Sequence, residues 1–586
     1  MGPRPDWCKE LGMRRYLLTA ILIATVLANF AVWAVPNRPV IVESPLGGKL
    51  LSISFAPFRD GQSPLTQTFP TTDEIEQDIR VIAGQVAGVR TYTSLEGMEA
   101  VPALARKYGL TVTLGIWLGG KPLINELEVT SGIKLANQYP DVIKRVIVGN
   151  EVLLRNDLTP AQLFGYIGRV KRSIKQPVST ADVWEYWLHY PDMAQQVDFI
   201  TIHLLPYWEN EPAGIDAAAA RVVDAYQQIS ARFPGTPIFV GEAGWPTAGR
   251  SRGPAVPSVT NKARFDAAFM RLAAERGFDY NLIEAFDQRW KIKQEGTVGG
   301  KWGLYTADRK PKYLVGDPVI EDPSWPQKAG LSAFLMLGFM ARLVLRRPKL
   351  PVIGFAVLAL FCQGLAAALV HAADIGLSWH YYIQDLALAG LLLALQAVLS
   401  AAILVSIATL WSRTTILHDA TEPEPPEGAA LVFWAGKAMT VLTTIAVVWT
   451  ILLIADGRYR DFPVAAFLVP ALGTLGLAVC RAIRRPAGSD LAAALSASHL
   501  LGTFAQTAAP STVHRSFFGA FATVPMAGVF AITLPLGALG IVGVEGTINQ
   551  EAMVWAGLLL VLAVPWLATV VAARHGTEPL PPVRQL

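Results

Sequence analysis

Charge is what this chain is short of. Among 586 residues only 16% are charged and 52% are hydrophobic, whereas a typical soluble domain carries about 25% charged residues. A deficit of that size excludes an ordinary soluble protein and points to membrane-spanning segments. The net charge is only +4, and basic residues occur in short clusters beside apolar runs, which argues against a nucleic-acid partner. Cysteine is scarce too. Cys8, Cys362 and Cys480 are the only three, and none lies between residues 40 and 320, so that region needs no disulfide even if exported. Histidines number 8 with no ligand-pair spacing, and no metal centre is expected. The first predicted turn has no G-x-G-x-x-G, which counts against a nucleotide site; no cofactor is expected.

What is present falls into two halves. The run Tyr16 to Val35 follows Lys9, Arg14 and Arg15. Its core is long for a signal peptide and Ala34-Val35-Pro36 is a poor cleavage site, so an uncleaved anchor is the favoured reading. From about residue 327 apolar stretches return: Gln327 to Leu345, Pro351 to Val370, Leu386 to Leu410, Leu431 to Ala455, Pro463 to Cys480, Phe517 to Val544 and Ala552 to Val571. Most can cross a bilayer of roughly 30 Å. Asp490 to Ala508 carries Ser, His, Thr and Gln and reads as interfacial, buried or a further span. The clusters Arg346-Arg347-Lys349, Arg481-Arg484-Arg485, His514-Arg515 and Arg574 all face the cytoplasm if the intervening domain is outside and 490–508 does not cross. The acidic segment Glu422 to Glu427 is then a cytoplasmic loop. Lys437, inside a span, marks a polar path or snorkels to the interface.

Between these membrane regions the pattern changes to short β-favouring runs separated by helical ones. Strands are predicted over 50–55, 89–92, 111–117, 142–148, 177–180, 197–203, 237–240 and 280–286, with helices in most of the gaps. That order and length fit a closed (β/α)₈ TIM barrel of the α/β class, followed by an all-α transmembrane domain; an open doubly wound sheet is the alternative. Polar and aromatic residues crowd the strand ends: Tyr92, Trp117, Asn150, Glu151, His203, Tyr207, Glu242, Trp245, Glu284 and Trp290. The organisation expected is 1–15 cytoplasmic, 16–35 anchor, 36–49 linker, 50–320 extracytoplasmic barrel, 327–572 multispanning domain and 573–586 cytoplasmic tail.

Two strand-end acids stand out, in Val148-Gly149-Asn150-Glu151 and Val240-Gly241-Glu242-Ala243-Gly244-Trp245-Pro246. Paired carboxylates on a barrel rim suit glycosidic-bond chemistry. Glu151 is the candidate acid/base, whose pKa must be raised so that it starts protonated, and Glu242 the candidate nucleophile. Asn150 is placed for a sugar 2-hydroxyl. Trp117, Tyr207, Trp208, Trp245, Trp290 and Trp302 can stack on sugar faces. Glu284, Asp287, Lys291 and Glu295 follow strand eight and can hold a sugar or support Glu242; for Asp287 and Lys291 a structural ion pair is equally open. His203 reads either as a binding group or as a hydrogen-bonded core histidine.

These residues, with Leu205-Pro206-Tyr207 and Glu284-Ala285-Phe286-Asp287-Gln288-Arg289-Trp290-Lys291, resemble the family 17 glycoside hydrolases over roughly residues 48–315. The resemblance implies β-1,3-glucan activity, with Glu151 as proton donor and Glu242 as nucleophile. Two departures are Leu-Pro-Tyr for the plant enzymes' Tyr-Pro-Tyr and Phe-Asp-Gln-Arg-Trp-Lys for their Phe-Asn-Glu region. The whole chain also resembles bacterial membrane proteins of the β-(1→6) glucan synthase kind. That implies a multi-pass protein of the bacterial inner membrane with its barrel in the periplasm. It implies glucan transfer as the main reaction, with a separate polymerase as partner beside the lipid bilayer and the β-glucan itself. Hydrolysis is the alternative; a catalytically silent glucan-binding domain on a transporter or scaffold is the alternative of another class.

Overall fold

The computed structural model describes residues 6–42, 49–314, 316–347, 350–412, 429–485, 488–500 and 524–575. The chain divides into two compact units, Pro39–Glu321 and the combination of Met1–Arg38 with Asp322–Leu586.

The first unit is a closed parallel barrel of eight strands in sequence order. They are β1 (Ile53–Ser54), β2 (Gly88–Arg90), β3 (Thr111–Ile116), β4 (Ile143–Asn150), β5 (Val178–Val183), β6 (Ile200–Leu204), β7 (Ile238–Ala243) and β8 (Asp279–Leu282). β1 closes the ring against β8 through Ile53 and Leu282. Strand and helix side chains such as Ile79, Val89, Leu114, Val146, Ile167, Ile202 and Val240 form one buried cluster. Local chemistry starts the helices where the sequence promises. Thr71 and Glu74 form a capping box at Thr72–Ile82, and Thr159 and Gln162 form another at Pro160–Ser173.

Two helices in this unit escape the sequence reading. Trp184–His189 lies between β5 and β6, and Ile292–Gly299 follows β8. Neither is long enough to display a 3.6-residue periodicity. β5 also runs three residues past its expected end at 180, and that extension carries an acid into the site.

The register matters for function. β4 meets β5 at Asn150 and Ala181, β5 meets β6 at Val183 and His203, and β6 meets β7 at His203 and Glu242. Side chains from β4 to β7 are thus brought to one level of the rim. Such C-terminal strand ends are where barrels build their sites.

The second unit is all helix among its described residues. Eight helices there are long and apolar enough to cross a membrane: Met13–Ala34, Trp325–Arg346, Val352–Ser378, Ile383–Ser412, Trp434–Ala455, Val464–Arg484, Met526–Glu545 and Gln550–Arg574. These make a multi-pass membrane protein. Residues 491–500 form only two short helices, Leu491–Leu495 and Ala497–Leu500; 501–508, the acidic segment 422–427, Lys349, His514-Arg515 and the tail beyond 575 lie outside the described residues. Lys437 lies over the Trp434 ring at 5.1 Å.

This unit is held by a buried polar joint as well as by apolar packing. Asn29 donates to the Ala329 carbonyl at 2.9 Å, and its Oδ1 accepts from Ser332 at 2.8 Å and Gln363 at 2.7 Å. The first helix is therefore tied into the bundle through its side chain. In lipid, where apolar contact offers no hydrophobic drive, such joints do much of the joining.

Candidate active site

The strand ends bring together the groups in which the sequence shows the clearest pattern, and they add a cation that it does not advertise. Arg90, on β2 and 1% exposed, lies at the centre. Its Nη1 donates to the Gly241 carbonyl at 2.6 Å and to Glu242 Oε1 at 3.3 Å, while Nη2 donates to Asn150 Oδ1 at 2.6 Å. Gly241 has to be glycine for this to happen. A Cβ there would meet Thr201 at 2.5 Å and Arg90 Nη1 at 3.1 Å. Gly244 has a similar reason, since a Cβ would meet the Ile283 carbonyl oxygen at 2.6 Å. The glycines of Gly-Glu-Ala-Gly-Trp-Pro are thus explained by close approach.

Glu242 is 5% exposed and receives a second hydrogen bond, from the Tyr92 hydroxyl at 2.8 Å. Tyr92 in turn contacts Ser54 Oγ at 2.8 Å, and Ser54 accepts from Asn281 Nδ2 at 2.7 Å. Because Tyr92 gives its only proton to Glu242, the Ser54 hydroxyl must donate to Tyr92. The order Asn281 to Ser54 to Tyr92 to Glu242 runs one way. Burial, then the Glu242 charge, pushes the Tyr92 phenol well above its ordinary range, so it remains a donor.

Glu151 stands just beyond β4 with a left-handed φ of 52°, sparsely populated for a residue with a side chain. Its Oε1 lies 2.7 Å from His203 Nδ1, and His203 Nε2 is 3.6 Å from Glu242 Oε1. The same Nε2 faces Arg90 Nη1 at 3.3 Å. Guanidinium nitrogens only donate, so Nε2 is the acceptor and Nδ1 carries the proton given to Glu151.

This corrects the expected electrostatics of Glu151, which required a raised pKa. Burial does push its carboxyl up. The hydrogen bond from His203 and the charges of Arg155 and Arg90 work against it, and the carboxyl is held below its usual range.

Oxygens of Glu151 and Glu242 and a ring nitrogen of His203 all lie within 4.8 Å of one another. A cation could use such a spacing. Yet the imidazole stands between the carboxylates with one nitrogen toward each, and Arg90 already brings a positive charge within 3.3 Å of Glu242. The geometry suits a fixed guanidinium better than a metal ion.

The remaining candidates divide. Glu284 is 1% exposed and pairs with Lys291 at 3.3 Å; burial pushes its carboxyl to about 7 against the pull of Lys291. Lys291 itself, despite burial, is raised by Glu284, Glu295 and Glu242, which puts this pair in the field of the site. Asp287 does not pair with Lys291. It binds Lys312 at 2.6 Å and the Gly303 amide at 3.0 Å. Trp117 is half-buried, with the Arg155 guanidinium 4.3 Å over its ring. Trp290 is half-buried and donates to Gln288 at 2.9 Å. Tyr207, Trp245 and Trp302 are not brought to the carboxylates as open faces. Each is at most 2% exposed, with Tyr207 donating to the Arg250 carbonyl at 2.6 Å and Trp245 to that of Val256 at 3.0 Å.

Sequence reasoning missed Arg90, Asp182 and Glu128. Arg90 lies two residues before Tyr92 and so on the same face of the strand, a signal that was available. Asp182 lies one residue before the end of β5, as Glu242 lies one before the end of β7, but a strand stopped at 180 leaves it in a loop. Glu128 comes from a helix and accepts from the Ser94 amide at 2.8 Å and the Trp117 amide at 3.2 Å; nothing in the pattern marks it.

Known proteins share this arrangement of sequence. The BtgE/BtgC glycoside hydrolase domain matches residues 52–303. A glucan 1,3-beta-glucosidase of Schizosaccharomyces pombe is 30% identical over 262 residues, 41% of this chain and 80% of the relative. Another, from Arthroderma benhamiae, is 29% identical over 268 residues, 41% of this chain and 83% of the relative. Among solved structures, the family 17 beta-1,3-glucanosyltransferase of Rhizomucor miehei is 27% identical, with a TM-score of 0.39 over 45% of this chain and 95% of that one. Through residues 52–303 this chain belongs to the BtgE/BtgC glycoside hydrolase domain family, a glucan-acting enzyme domain fused here to a membrane-spanning helical region.

Proposed function

We propose that the protein is a membrane-anchored, retaining β-1,3-glucan hydrolase. The observation that carries this reading is that one oxygen of Glu151 and one of Glu242 lie within 4.8 Å of each other. Retaining glycosidases hold their pair about 5 to 5.5 Å apart, whereas inverting ones leave about 6.5 to 9.5 Å for a water. The linkage comes from the relatives, which are named glucan 1,3-beta-glucosidases.

In the first step a Glu242 oxygen bonds the anomeric carbon, the glycosidic C–O bond breaks, and the leaving oxygen takes the Glu151 proton. In the second, Glu151 takes a proton from water as that water's oxygen bonds the anomeric carbon and the bond to Glu242 breaks. Arg90 and Tyr92 orient Glu242 by donating to its Oε1. Asn150, its Oδ1 committed to Arg90, presents its amide N–H₂ toward a sugar hydroxyl. Trp117 and Trp290 supply aromatic surface, and Glu284 and Lys291 supply polar contacts.

The helical unit supports a single orientation. Arg14 donates to the Leu350 carbonyl, Arg347 to Thr409 and Arg484 to the Leu410 carbonyl. His575 lies 3.7 Å from Asp490, and the Ala497 amide donates to Thr569. These contacts gather the basic helix ends at one end of the bundle. Asp490 lies at that end, as does the start of Val524–Glu545, which pairs antiparallel with Gln550–Arg574. With the positive-inside rule, our reading is that this side is cytoplasmic and that the barrel lies in the periplasm of a bacterial inner membrane.

Incubating the full-length protein in detergent with one β-1,3-glucan oligomer tests the reaction. The expected result is shorter oligomers whose new reducing ends appear first as the β-anomer by NMR. Initial α-anomer would overturn the retaining assignment. Products longer than the substrate would replace hydrolysis by transfer and call for a polymerase that supplies chains.

A further inference from the structure

β5 lies between the strand that ends in Glu151 and the strand that carries His203, and its last polar residue is used by neither reaction step above. Asp182 is 2% exposed. One carboxylate oxygen accepts from its neighbour Val183 at 2.9 Å, and the other accepts from the Leu153 amide at 3.2 Å. Leu153 lies two residues past Glu151, whose own amide donates to the Ala181 carbonyl at 2.7 Å. The left-handed turn that delivers Glu151 is thus pinned to β5 on both sides, by Ala181 before it and by Asp182 after it.

We propose that Asp182 is the positioning residue of the proton donor, fixing the Glu151 turn through the Leu153 amide. This rests on the reading of Glu151 as the acid/base. An acid that gives its proton to a leaving oxygen has to be held within hydrogen-bond reach of it, and a residue in the left-handed region keeps its place only where its surroundings fix it. The Ala181 carbonyl and the Asp182 carboxylate supply that fixing from β5, on the two sides of Glu151.

The test compares Asp182→Ala with the native full-length protein on two substrates. One is a β-1,3-glucan oligomer, whose poor leaving group needs the acid. The other is an aryl β-glucoside with a strongly acidic leaving group, which does not. Expected is a loss of about tenfold or more in kcat/KM on the oligomer, with less than about threefold loss on the aryl glucoside. Asp182→Asn, which keeps a carbonyl oxygen for the Leu153 amide, should restore most of the activity on the oligomer. The ratio of the two activities does not depend on how much protein folds, so a poorly folding variant still decides the point. Equal losses on both substrates would overturn the proposal and leave Asp182 a structural residue. Glu151→Gln, run alongside, separates the two readings. If it fails to discriminate between the substrates, Glu151 is not the acid; if it discriminates and the Asp182 variants do not, only the present inference falls.

Discussion

The barrel and the helical unit both bury polar groups, but they satisfy them in opposite ways. In the helical unit most buried hydroxyls turn back on their own helix. Ser400 donates to the Gln396 carbonyl, Thr443 to Met439, Thr450 to Ala446, Thr474 to Pro470 and Thr569 to Pro565. Each donation is a local solution, although Thr450 also accepts from Trp555 and Thr569 from the Ala497 amide. In the barrel the buried groups bond across strands: Arg90 reaches from β2 to β4 and β7, and His203 from β6 to both carboxylates. Self-contained polar groups allow helices to sit in lipid; cross-linked ones fix a charge pattern in space, which is what catalysis by preorganised electrostatics requires.

The sharpest way to break this contrast is at Glu242, where the cross-strand bonds converge. Glu242→Gln should cut turnover of a β-1,3-glucan oligomer by at least about 10³-fold while leaving the helical unit intact, as judged by detergent-resistant folding. Turnover within tenfold of native would remove Glu242 from the chemistry. A middle-sized effect is expected at Asn29, whose side chain joins three helices. Asn29→Leu should lower the resistance of that unit to unfolding in mixed detergent by about 1 kcal/mol, with glucan turnover unchanged within twofold. If Asn29→Leu instead lowered turnover in step with stability, the two units would not keep their polar networks separate.

The smallest effect concerns a barrel acid without a cross-strand role. Burial, followed by the charges of Glu128 and Glu99, moves Glu96 up to about 7. The unfolded chain loses that proton near 4.3, so between those values the folded state holds more protons and stability falls as pH rises. Above pH 7 both states are ionised and the folded one bears the cost of burial. Glu96→Gln should therefore raise the barrel's melting temperature by about 1–2 °C at pH 8, roughly 0.5 kcal/mol, and leave it unchanged at pH 4. An equal gain at both pH values would show that charge is not the cause.

The same contrast explains what could be read in advance. Run length and apolarity alone determine a membrane helix, so the eight spanning helices were legible from composition. The barrel order was legible too, because strands like Val146-Ile147-Val148 and Ile238-Phe239-Val240 are β-branched or aromatic and bounded by turns. Glu151 and Glu242 showed as acids interrupting such runs. The network around them did not show, since an arginine on a two- or three-residue strand, or an aspartate at the end of β5, gains meaning only when six other strands converge on it. The aromatics illustrate the reverse error of emphasis. Trp245 sits in the most recognisable motif of the chain, and the structure uses it as packing against Tyr207 and Phe265.

The one-way run from Asn281 through Ser54 and Tyr92 to Glu242 distinguishes the two oxygens of that carboxylate. Oε1 is held by Tyr92 and Arg90, which leaves Oε2 to bond the sugar. The covalent adduct would then be an ester linked through Oε2, with Oε1 as its carbonyl oxygen between a phenol and a guanidinium. Those donors make the carboxylate a better leaving group as the ester breaks, because they receive the returning charge as it forms. On the proposed retaining mechanism, the contacts that aim Glu242 would also hasten its release, and Tyr92→Phe should let the ester accumulate.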